Sequence, residues 1–514
     1  MIDSKVIVLG LDGATWTLLD KYIEEGHLPN LGKLRKEGVS GNLKSVIPPF
    51  TCPSWKSYST GRKPANLGAF GWGHADWEKE EVVSTRSSTY FEDKELWDYL
   101  NQTGYRTGII NMPTTYPPKK VDGYMICGPT TPDENKDYTY PPDLKEKLES
   151  KYDYEIFSDT PLGLRDVLGE EKMINSIKDV VRTRFEVAKD FFQDIDFLHL
   201  TLYYTDSLQH VFWDSRPVRE VWKTIDQEIG KLLDEYPEAN LFIISDHGFE
   251  KIDTYFNLSN WLRSKGYFKT KEKSSGSFLK NIGITRENIL KIARNLNFGR
   301  IMKKILKKFP EFSEKIDSAV PREFSEERKR DWKRSNVIPL MSNLIYINPK
   351  LSDKENFKDT LKKEILNIRN PETGEKIVDK ILEKKDIFQG KYSNIAPDLA
   401  VVPKANVYIH SKMVKGIWGK NIEWIAAHNL EGVFMAYGPD IGERKVNNAN
   451  LIDVSPTILH LFDIPIPKSL DGKVLKDIFK KGTDASERSI EYKKYSEKEN
   501  IRSKIRTLKN QGEI

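Results

Sequence analysis

The segment Leu241-Phe242-Ile243-Ile244-Ser245-Asp246-His247-Gly248 changes abruptly from apolar residues to a carboxylate and an imidazole. A short apolar run of this kind predicts a buried β-strand. In an open α/β sheet, ligands bind at the carboxyl ends of the strands. We therefore expect Asp246 and His247 to lie at the binding edge of a sheet, where they would form half of a metal site.

Acidic and histidine residues recur next to other strand-like runs. They are Asp12 after the run 6–9, Asp206 and His210 after the run 197–202, and His428 before the run 433–436. Taken singly, Asp12-Gly13 also fits a turn, and Asp206 with His210 also fits a helix cap with a surface neighbour. Their repeated placement at strand ends is what a catalytic edge requires.

Apolar runs alternate with helical patterns along much of the chain. The predicted strands are 42–47, 106–111, 123–127, 196–203, 240–245, 343–347, 399–403 and 432–437. Between two of them, Val221, Ile225, Ile229 and Leu232 recur at helical spacing. This alternation predicts an α/β/α sandwich with a mostly parallel central sheet that is covered on both faces.

Composition indicates a large, highly charged protein. The chain has 514 residues, of which 31% are charged, and it contains two cysteines, so a disulfide framework is not expected. The N-terminus lacks the pattern of a secretory signal, and no apolar stretch approaches the roughly 20 residues that span a bilayer. We expect a cytoplasmic protein.

A basic segment interrupts the α/β pattern. Residues 263–334 contain 21 Lys and Arg against 9 Asp and Glu, whereas the whole chain carries a net charge of +5. Within it, 298–309 has the pattern of a basic amphipathic helix, which fits a cap packed on the main domain or a site of peripheral membrane contact. We therefore predict a core of 1–262 and 340–482, a basic helical insertion or cap at 263–339, and a charged tail at 483–514.

The segment Pro48-Pro49-Phe50-Thr51-Cys52-Pro53-Ser54-Trp55 follows a predicted strand and precedes a helical pattern. Thr51 would therefore sit at a strand-to-helix turn. There its hydroxyl could bind a divalent cation and lose its proton, which would make it a nucleophile. The start of the following helix would favour the negative charge of a phosphate.

The order of these motifs resembles the type I phosphodiesterase/nucleotide pyrophosphatase family of the alkaline phosphatase superfamily. The motifs are Asp12-Gly13, Thr51-x-Pro53 followed by Ser59-Thr60-Gly61, Asp206-x-x-x-His210, Ser245-Asp246-His247-Gly248 and His428. The soluble prokaryotic phosphohydrolase and phosphomutase-like branch is especially similar. That likeness is carried by Pro64-x-x-x-Gly68, Asn111-x-Pro113-x-x-Tyr116-Pro117 and Asp453-Val454-Ser455-Pro456-Thr457-Ile458-Leu459.

The resemblance implies a phosphoric ester hydrolase with two metal ions. One ion would be held by Asp12, Thr51, Asp246 and His247, and the second by Asp206, His210 and His428. Thr51 would form a covalent phosphothreonine. The mixed imidazole and carboxylate ligands suit zinc, or manganese as an alternative, better than magnesium or calcium.

Two departures from known patterns affect this interpretation. Many phosphodiesterases of the family have Asn three residues after the nucleophile, where this chain has Ser54. The candidates for holding a phosphate oxygen are therefore the Ser54 hydroxyl, Asn111, or the backbone amides of Thr51 and Cys52. The frame around Thr51 also resembles the sulfatase signature. Threonine cannot become formylglycine, and Trp55 replaces the arginine of that signature, so the sulfatase interpretation is disfavoured.

Several alternatives stay open at this point. Phosphodiester or nucleotide pyrophosphate cleavage is the first expectation, with phosphomonoesterase or phosphomutase activity second. A different class of function is a catalytically weak scaffold that binds a membrane or polyanion through the basic insertion. The expected partner is a phosphorylated small molecule or a lipid-linked substrate rather than nucleic acid, and the oligomeric state is not predicted.

Overall fold

The fold is described from a computed structural model. The described residues are 5–132, 137–158, 169–271, 330–341, 343–412, 416–420 and 424–495. The predicted helix at 298–309, most of the predicted insertion and the end of the predicted tail lie outside these ranges. Within them, no helix is both long and apolar enough to cross a bilayer.

A ten-stranded sheet forms the centre of the fold. Its path runs through Arg444–Lys445, Val39–Lys44, Glu431–Tyr437, Asn240–Ile244, Val6–Leu11, Phe197–Leu202, Thr107–Ile110, Gly123–Ile126 and Thr139–Tyr140, with Ala449–Asn450 also paired to Val39–Lys44. The five neighbouring strands from Asn240–Ile244 to Gly123–Ile126 are mutually parallel. Glu431–Tyr437 pairs antiparallel on both sides. The predicted mostly parallel sheet is confirmed.

Helices cover both faces of this sheet because alternate strand residues point to opposite sides. Along Val6–Leu11, Ile7 and Leu9 belong to one hydrophobic cluster, whereas Val6 and Val8 belong to another. The first cluster includes residues of the helices Trp16–Glu24, Pro29–Glu37, Leu144–Tyr152, Glu170–Phe192, Tyr204–Phe212 and Arg216–Glu235. The second includes residues of Thr51–Thr60, Leu96–Gln102 and Val454–Leu461. The result is the predicted α/β/α sandwich.

A second sheet lies apart from the central one. Its order is Val337–Leu340, Leu344–Ile347, Leu399–Pro403 and Val378–Glu383, all antiparallel, and it has its own hydrophobic cluster with the helix Lys354–Leu366. The strands predicted at 343–347 and 399–403 therefore exist, but they do not extend the central sheet. Local apolar patterns identify a strand without showing which sheet it joins.

Short elements complete the described chain. The two-stranded sheets pair Gly73–Asp76 with Glu81–Ser84, Gly248–Lys251 with Ala426–Asn429, Thr254–Asn257 with Val407–His410, and Ile466–Pro467 with Tyr492–Lys493. The short α-helices are Pro64–Leu67, Leu258–Ser264, Lys384–Ile387 and Asp484–Glu487, and the 3₁₀ turns are Ser88–Tyr90, Ser393–Ile395, Leu451–Asp453 and Lys476–Ile478. The ribbon of Gly248–Lys251 with Ala426–Asn429 places His428 opposite Phe249, which lies two residues after His247.

A buried ion pair anchors the helix Thr51–Thr60. Lys56 Nζ lies 2.7 Å from Glu95 Oε1, and the two side chains are 0% and 1% exposed. Lys119 Nζ lies 3.0 Å from the other oxygen of Glu95. Burial raises the pKa of Glu95, but Lys119 and Lys56 more than offset it and hold that pKa at about 2. Lys56 is thus part of the framework rather than an exposed cation.

We predict that Lys56→Met lowers the free energy of unfolding by about 3 kcal/mol, because one partner of a buried ion pair is removed. Urea denaturation measures this change. Lys231→Met is the matched control, since Lys231 Nζ is also 2.7 Å from a carboxylate, that of Glu228, but its side chain is 60% exposed. This control should change stability by less than about 1 kcal/mol. Equal losses in both variants would contradict the anchoring role.

Glu95 should also make stability depend on acid pH. Its folded pKa of about 2 lies below the ordinary value of 4.5, so its contribution is complete above pH 4.5 and is lost as the pH falls toward 2. We expect the wild type to lose about 3 kcal/mol more than Glu95→Gln over this interval. Urea midpoints measured from pH 5 to pH 2 test this, and parallel curves for the two proteins would refute it.

Candidate metal centre

Three neighbouring parallel strands deliver the candidate ligands to one edge. Asp12 directly follows Val6–Leu11, and Asp246 with His247 follows Asn240–Ile244. Asp206 and His210 lie on the helix Tyr204–Phe212, which begins just after Phe197–Leu202. Because these strands are adjacent and parallel, their carboxyl ends meet at the same edge.

The first cluster joins Asp12, Asp246 and His247. His247 Nε2 lies 3.3 Å from Asp246 Oδ2 and 3.7 Å from Asp12 Oδ1, and all three side chains are fully buried. None of these three atoms has a hydrogen-bond partner among the described residues. They can all serve as ligands to one ion, since they lie within 4.8 Å of one another.

The remaining oxygen of each carboxylate in this cluster has a hydrogen-bond donor. The indole nitrogen of Trp55 donates to Asp12 Oδ2 at 3.0 Å, and the backbone amide of Gly13 donates to Asp246 Oδ1 at 3.1 Å. Trp55 reaches Asp12 because Gly10 has no side chain: a Cβ there would lie 2.4 Å from the Trp55 ring. These donors orient the carboxylates so that one oxygen of each faces His247.

The second cluster joins Asp206, His210 and His428. Asp206 Oδ1 lies 3.0 Å from His428 Nε2 and 3.6 Å from His210 Nε2. The two Nε2 atoms are themselves 3.0 Å apart. The clusters are contiguous, because the rings of His247 and His428 stack at 3.7 Å and His247 also lies within ligand distance of Asp206 and His428.

Backbone carbonyls determine the tautomers of all three histidines. The Nδ1 atoms of His210, His247 and His428 lie 2.9, 3.2 and 3.2 Å from the carbonyl oxygens of Ala426, Gly248 and Pro49. A carbonyl only accepts hydrogen bonds, so each Nδ1 must carry the proton. In its neutral form, each ring therefore presents the lone pair of Nε2 to the cluster, which is the arrangement that metal-binding histidines use.

Burial controls the charge states at this edge. Burial lowers the pKa of His210 to about 4 and lowers the pKa of His247, which keeps both imidazoles neutral. Burial raises the pKa of Asp12, with a further contribution from Asp246, and burial also raises that of Asp246. Burial opposes ionisation of Asp206 too, but the positive charge that His210 and His428 carry when protonated outweighs it and lowers the pKa of Asp206. A nearby cation would stabilise all three carboxylates in their charged form.

Thr51 is the first residue of the helix Thr51–Thr60 and is 5% exposed. Contacts on both sides hold this helix start at the ligand clusters. The ring of Phe50, the preceding residue, packs against His428 with centroids 5.6 Å apart. On the other side, Trp55 binds Asp12 one turn into the helix. Pro53 is tolerated here because amides of the first turn have no carbonyl partner within the helix.

The two predicted phosphate contacts differ in their surroundings. Ser54 is completely buried, and its hydroxyl lies 3.1 Å from that of Ser45, which in turn donates to the backbone oxygen of Asp246. Asn111 follows the strand Thr107–Ile110 in a left-handed conformation with φ of 62°. Its side-chain amide donates to the Thr201 carbonyl at 2.9 Å, while Oδ1 has no partner among the described residues.

Sequence reasoning missed the structural roles of Trp55 and Lys56. Trp55 was considered only as a departure from the sulfatase signature, although a large indole directly after Thr51-x-Pro53-x is an unusual choice for the start of a helix. Its hydrogen bond to Asp12 spans 43 residues of sequence, and no local pattern shows such a pair.

Comparison with known proteins identifies the family. Residues 6–428 match the family model described as type I phosphodiesterase / nucleotide pyrophosphatase. The chain belongs to this family. It is therefore a phosphoric ester hydrolase. No curated protein sequence matches the chain significantly.

Solved structures with the same fold are distant in sequence. Murine ectonucleotide pyrophosphatase/phosphodiesterase 5 is 15% identical, with 93% of this chain and 100% of that chain covered and a TM-score of 0.53. Phosphonoacetate hydrolase from Sinorhizobium meliloti 1021 is 13% identical, with coverage of 88% and 94% and a TM-score of 0.56. These similarities confirm the predicted alkaline-phosphatase-like fold.

Trp55→Phe should weaken metal binding about 10- to 100-fold, because Asp12 loses the donor that orients it. Titration calorimetry of metal-stripped protein with zinc or manganese measures this change directly. Trp97→Phe is the matched control: Trp97 is equally buried, belongs to the same hydrophobic cluster, and its indole nitrogen has no partner among the described residues. Equal metal affinities for the two variants would contradict the role assigned to Trp55.

Proposed function

We propose that this protein cleaves phosphodiesters or nucleotide pyrophosphates with Thr51 as nucleophile and two divalent metal ions. The main support is the second ligand cluster. It gathers one carboxylate oxygen and two imidazole nitrogens within 3.6 Å, while each imidazole proton is used elsewhere. Acceptor atoms so close together repel one another unless positive charge lies between them. A cation would remove that repulsion.

The residues present fit two such ions. Asp12, Asp246 and His247, with the Thr51 hydroxyl, would hold the first, and Asp206, His210 and His428 the second. Orphaned buried acceptors support the first site, and converging Nε2 atoms support the second. Imidazole ligands favour zinc or manganese over magnesium and calcium, which prefer oxygen.

When bound, two divalent ions would supply positive charge that lowers the pKa of a hydroxyl or water and neutralises the phosphate. The Thr51 oxygen then attacks phosphorus as its proton passes to solvent. A new P–O bond forms to Thr51 while the bond to the leaving oxygen breaks, and the leaving oxygen takes up a proton. Water next attacks the phosphothreonine, which releases the phosphate product and restores the Thr51 hydroxyl.

The chain's own residues would also hold the phosphate. The start of the helix at Thr51 directs backbone amides and the positive end of the helix dipole toward a bound anion. Asn111 Oδ1 is an acceptor and does not bind an unprotonated phosphate oxygen, but the amide nitrogen has two N–H donors, and only one of them is used by the Thr201 carbonyl. Ser54 has a single donor, and it would need to leave Ser45. We therefore assign the main anion contact to the helix start, with the second N–H of Asn111 as a further donor.

Cleavage of a phosphodiester is preferred over that of a monoester on the basis of the family. One murine structure with this fold is an inactive threonine-to-alanine variant in complex with AMP, which agrees with a threonine nucleophile and a phosphate ligand. Monoesterase and phosphomutase activities are the alternatives. The scaffold hypothesis depends on the basic insertion, most of which lies outside the described residues.

Thr51→Ala should reduce hydrolysis of bis(p-nitrophenyl) phosphate by at least about 1,000-fold, because no other side chain replaces the nucleophile. Metal-stripped protein refilled with zinc or manganese is assayed with this diester and, in parallel, with p-nitrophenyl phosphate. The ratio of the two hydrolysis rates separates diesterase from monoesterase activity. Thr60→Ala, at the other end of the same helix, is the matched control and should keep full activity. Its hydroxyl donates to the Lys56 carbonyl, remote from the ligands.

Two results would overturn this mechanism. One is metal-dependent turnover that survives in Thr51→Ala. The other is an absence of turnover of both substrates in folded, metal-loaded wild-type protein, which would turn attention to the scaffold hypothesis.

A further inference from the structure

A cavity of about 470 Å³ adjoins the second ligand cluster. His428 and Trp424 form part of its wall, and both also contact ligands of the second cluster. His428 Nε2 contacts Asp206, and the Trp424 ring stacks on His210 at 3.6 Å. Pro49 and Phe50, which precede Thr51, line the cavity as well. A ligand in the cavity would therefore touch the residues that surround the reacting phosphorus.

The wall of the cavity is mostly apolar and comes from separate parts of the fold. The loop between Val39–Lys44 and Thr51–Thr60 contributes Ile47 and Phe50, the ribbon Gly73–Asp76 with Glu81–Ser84 contributes Val82, and the second sheet contributes Leu340, Val401 and Val402. Strand Val407–His410 adds Val407 and Ile409. The second sheet thus forms part of the wall of an apolar cavity next to the catalytic edge.

Charged side chains accompany this apolar wall: the cations of Arg86, Arg330 and Lys412, and the carboxylates of Glu250 and Glu431. The Arg86 guanidinium lies 5.1 Å from the centre of the Trp72 ring, and Lys412 Nζ lies 4.4 Å from the centre of the Trp424 ring. All four residues line the cavity. Cations and aliphatic side chains next to a phosphate site complement a molecule that is anionic at one end and apolar at the other.

We propose that the cavity binds an apolar chain carried by the phosphoester substrate, so that the substrate is an amphiphile with its phosphorus at the metal centre. This inference rests on the proposed function for the position of the phosphorus. A nucleoside is the competing occupant. It is disfavoured because most of the wall is apolar, with aliphatic surface from Ile47, Val82, Leu340, Val401 and Val402, although Asn343 and Asn429 also line the cavity and could pair with the polar edges of a base or a ribose.

Chain length should then control affinity. Each methylene transferred from water to an apolar site strengthens binding by about fourfold. Binding is measured by calorimetry on the metal-loaded full chain with methylphosphonate, decylphosphonate and thymidine monophosphate as probes, below the micellar concentration of the decyl compound. We expect decylphosphonate to bind at least about 100-fold more tightly than methylphosphonate.

Val82 and Val83 provide a matched pair of variants. Neighbouring residues of a strand point to opposite sides, and Val82 lines the cavity whereas Val83 is not among its lining residues. Val82→Trp should fill the cavity and remove most of the advantage of decylphosphonate, while Val83→Trp should keep it. If thermal denaturation shows that Val82→Trp does not fold, Val407→Trp fills the same cavity from another strand.

Three outcomes would overturn the proposal. Equal affinity for decylphosphonate and methylphosphonate would exclude an apolar-chain site, as would an advantage that Val82→Trp leaves intact. If thymidine monophosphate binds more tightly than decylphosphonate, and Val82→Trp abolishes that binding, the cavity is assigned to a nucleoside instead. These probes report binding, whereas the hydrolytic mechanism is tested by turnover of bis(p-nitrophenyl) phosphate. Failure of the cavity proposal can therefore be distinguished from failure of the mechanism.

Discussion

Repulsion among buried acceptor atoms is the constraint on which the rest of this structure depends. Three carboxylates and three imidazoles converge at one sheet edge, and backbone carbonyls take the Nδ1 protons that would otherwise relieve the repulsion. Burial makes the cost larger, since the carboxylates gain little from water. Positive charge bound among them is the natural counterpart, and a phosphoric ester hydrolase of this family uses such charge for its reaction.

The surrounding framework holds these groups in place. Trp55 orients Asp12, and Lys56, five residues beyond Thr51, fastens the same helix to Glu95. One helix therefore carries the proposed nucleophile, a donor to a proposed metal ligand and a buried anchor. The ribbon that pairs Phe249 with His428 has the same effect from the opposite side, because it joins a late segment of chain to the edge formed by His247.

Much of the catalytic edge could be predicted because it depends on local patterns. Apolar runs marked the strands Val6–Leu11, Phe197–Leu202 and Asn240–Ile244, and the chemistry of their next residues marked Asp12, Asp206 and Asp246. The second sheet was not separated from the core, because Leu344–Ile347 and Leu399–Pro403 have the same local pattern as central strands. The ion pair of Lys56 with Glu95 was not predicted, because the two residues are 39 positions apart in the sequence.

The sequence by itself determined the fold class, the family and the candidate ligands, because strand periodicity and the order of motifs are properties of the chain alone. Only the tertiary structure decided which atoms face one another. The tautomers of His210, His247 and His428 depend on carbonyls up to 379 residues away, and the apolar cavity exists only where the second sheet meets the catalytic edge. Such contacts arise from packing between distant segments, for which one-dimensional patterns carry no signal.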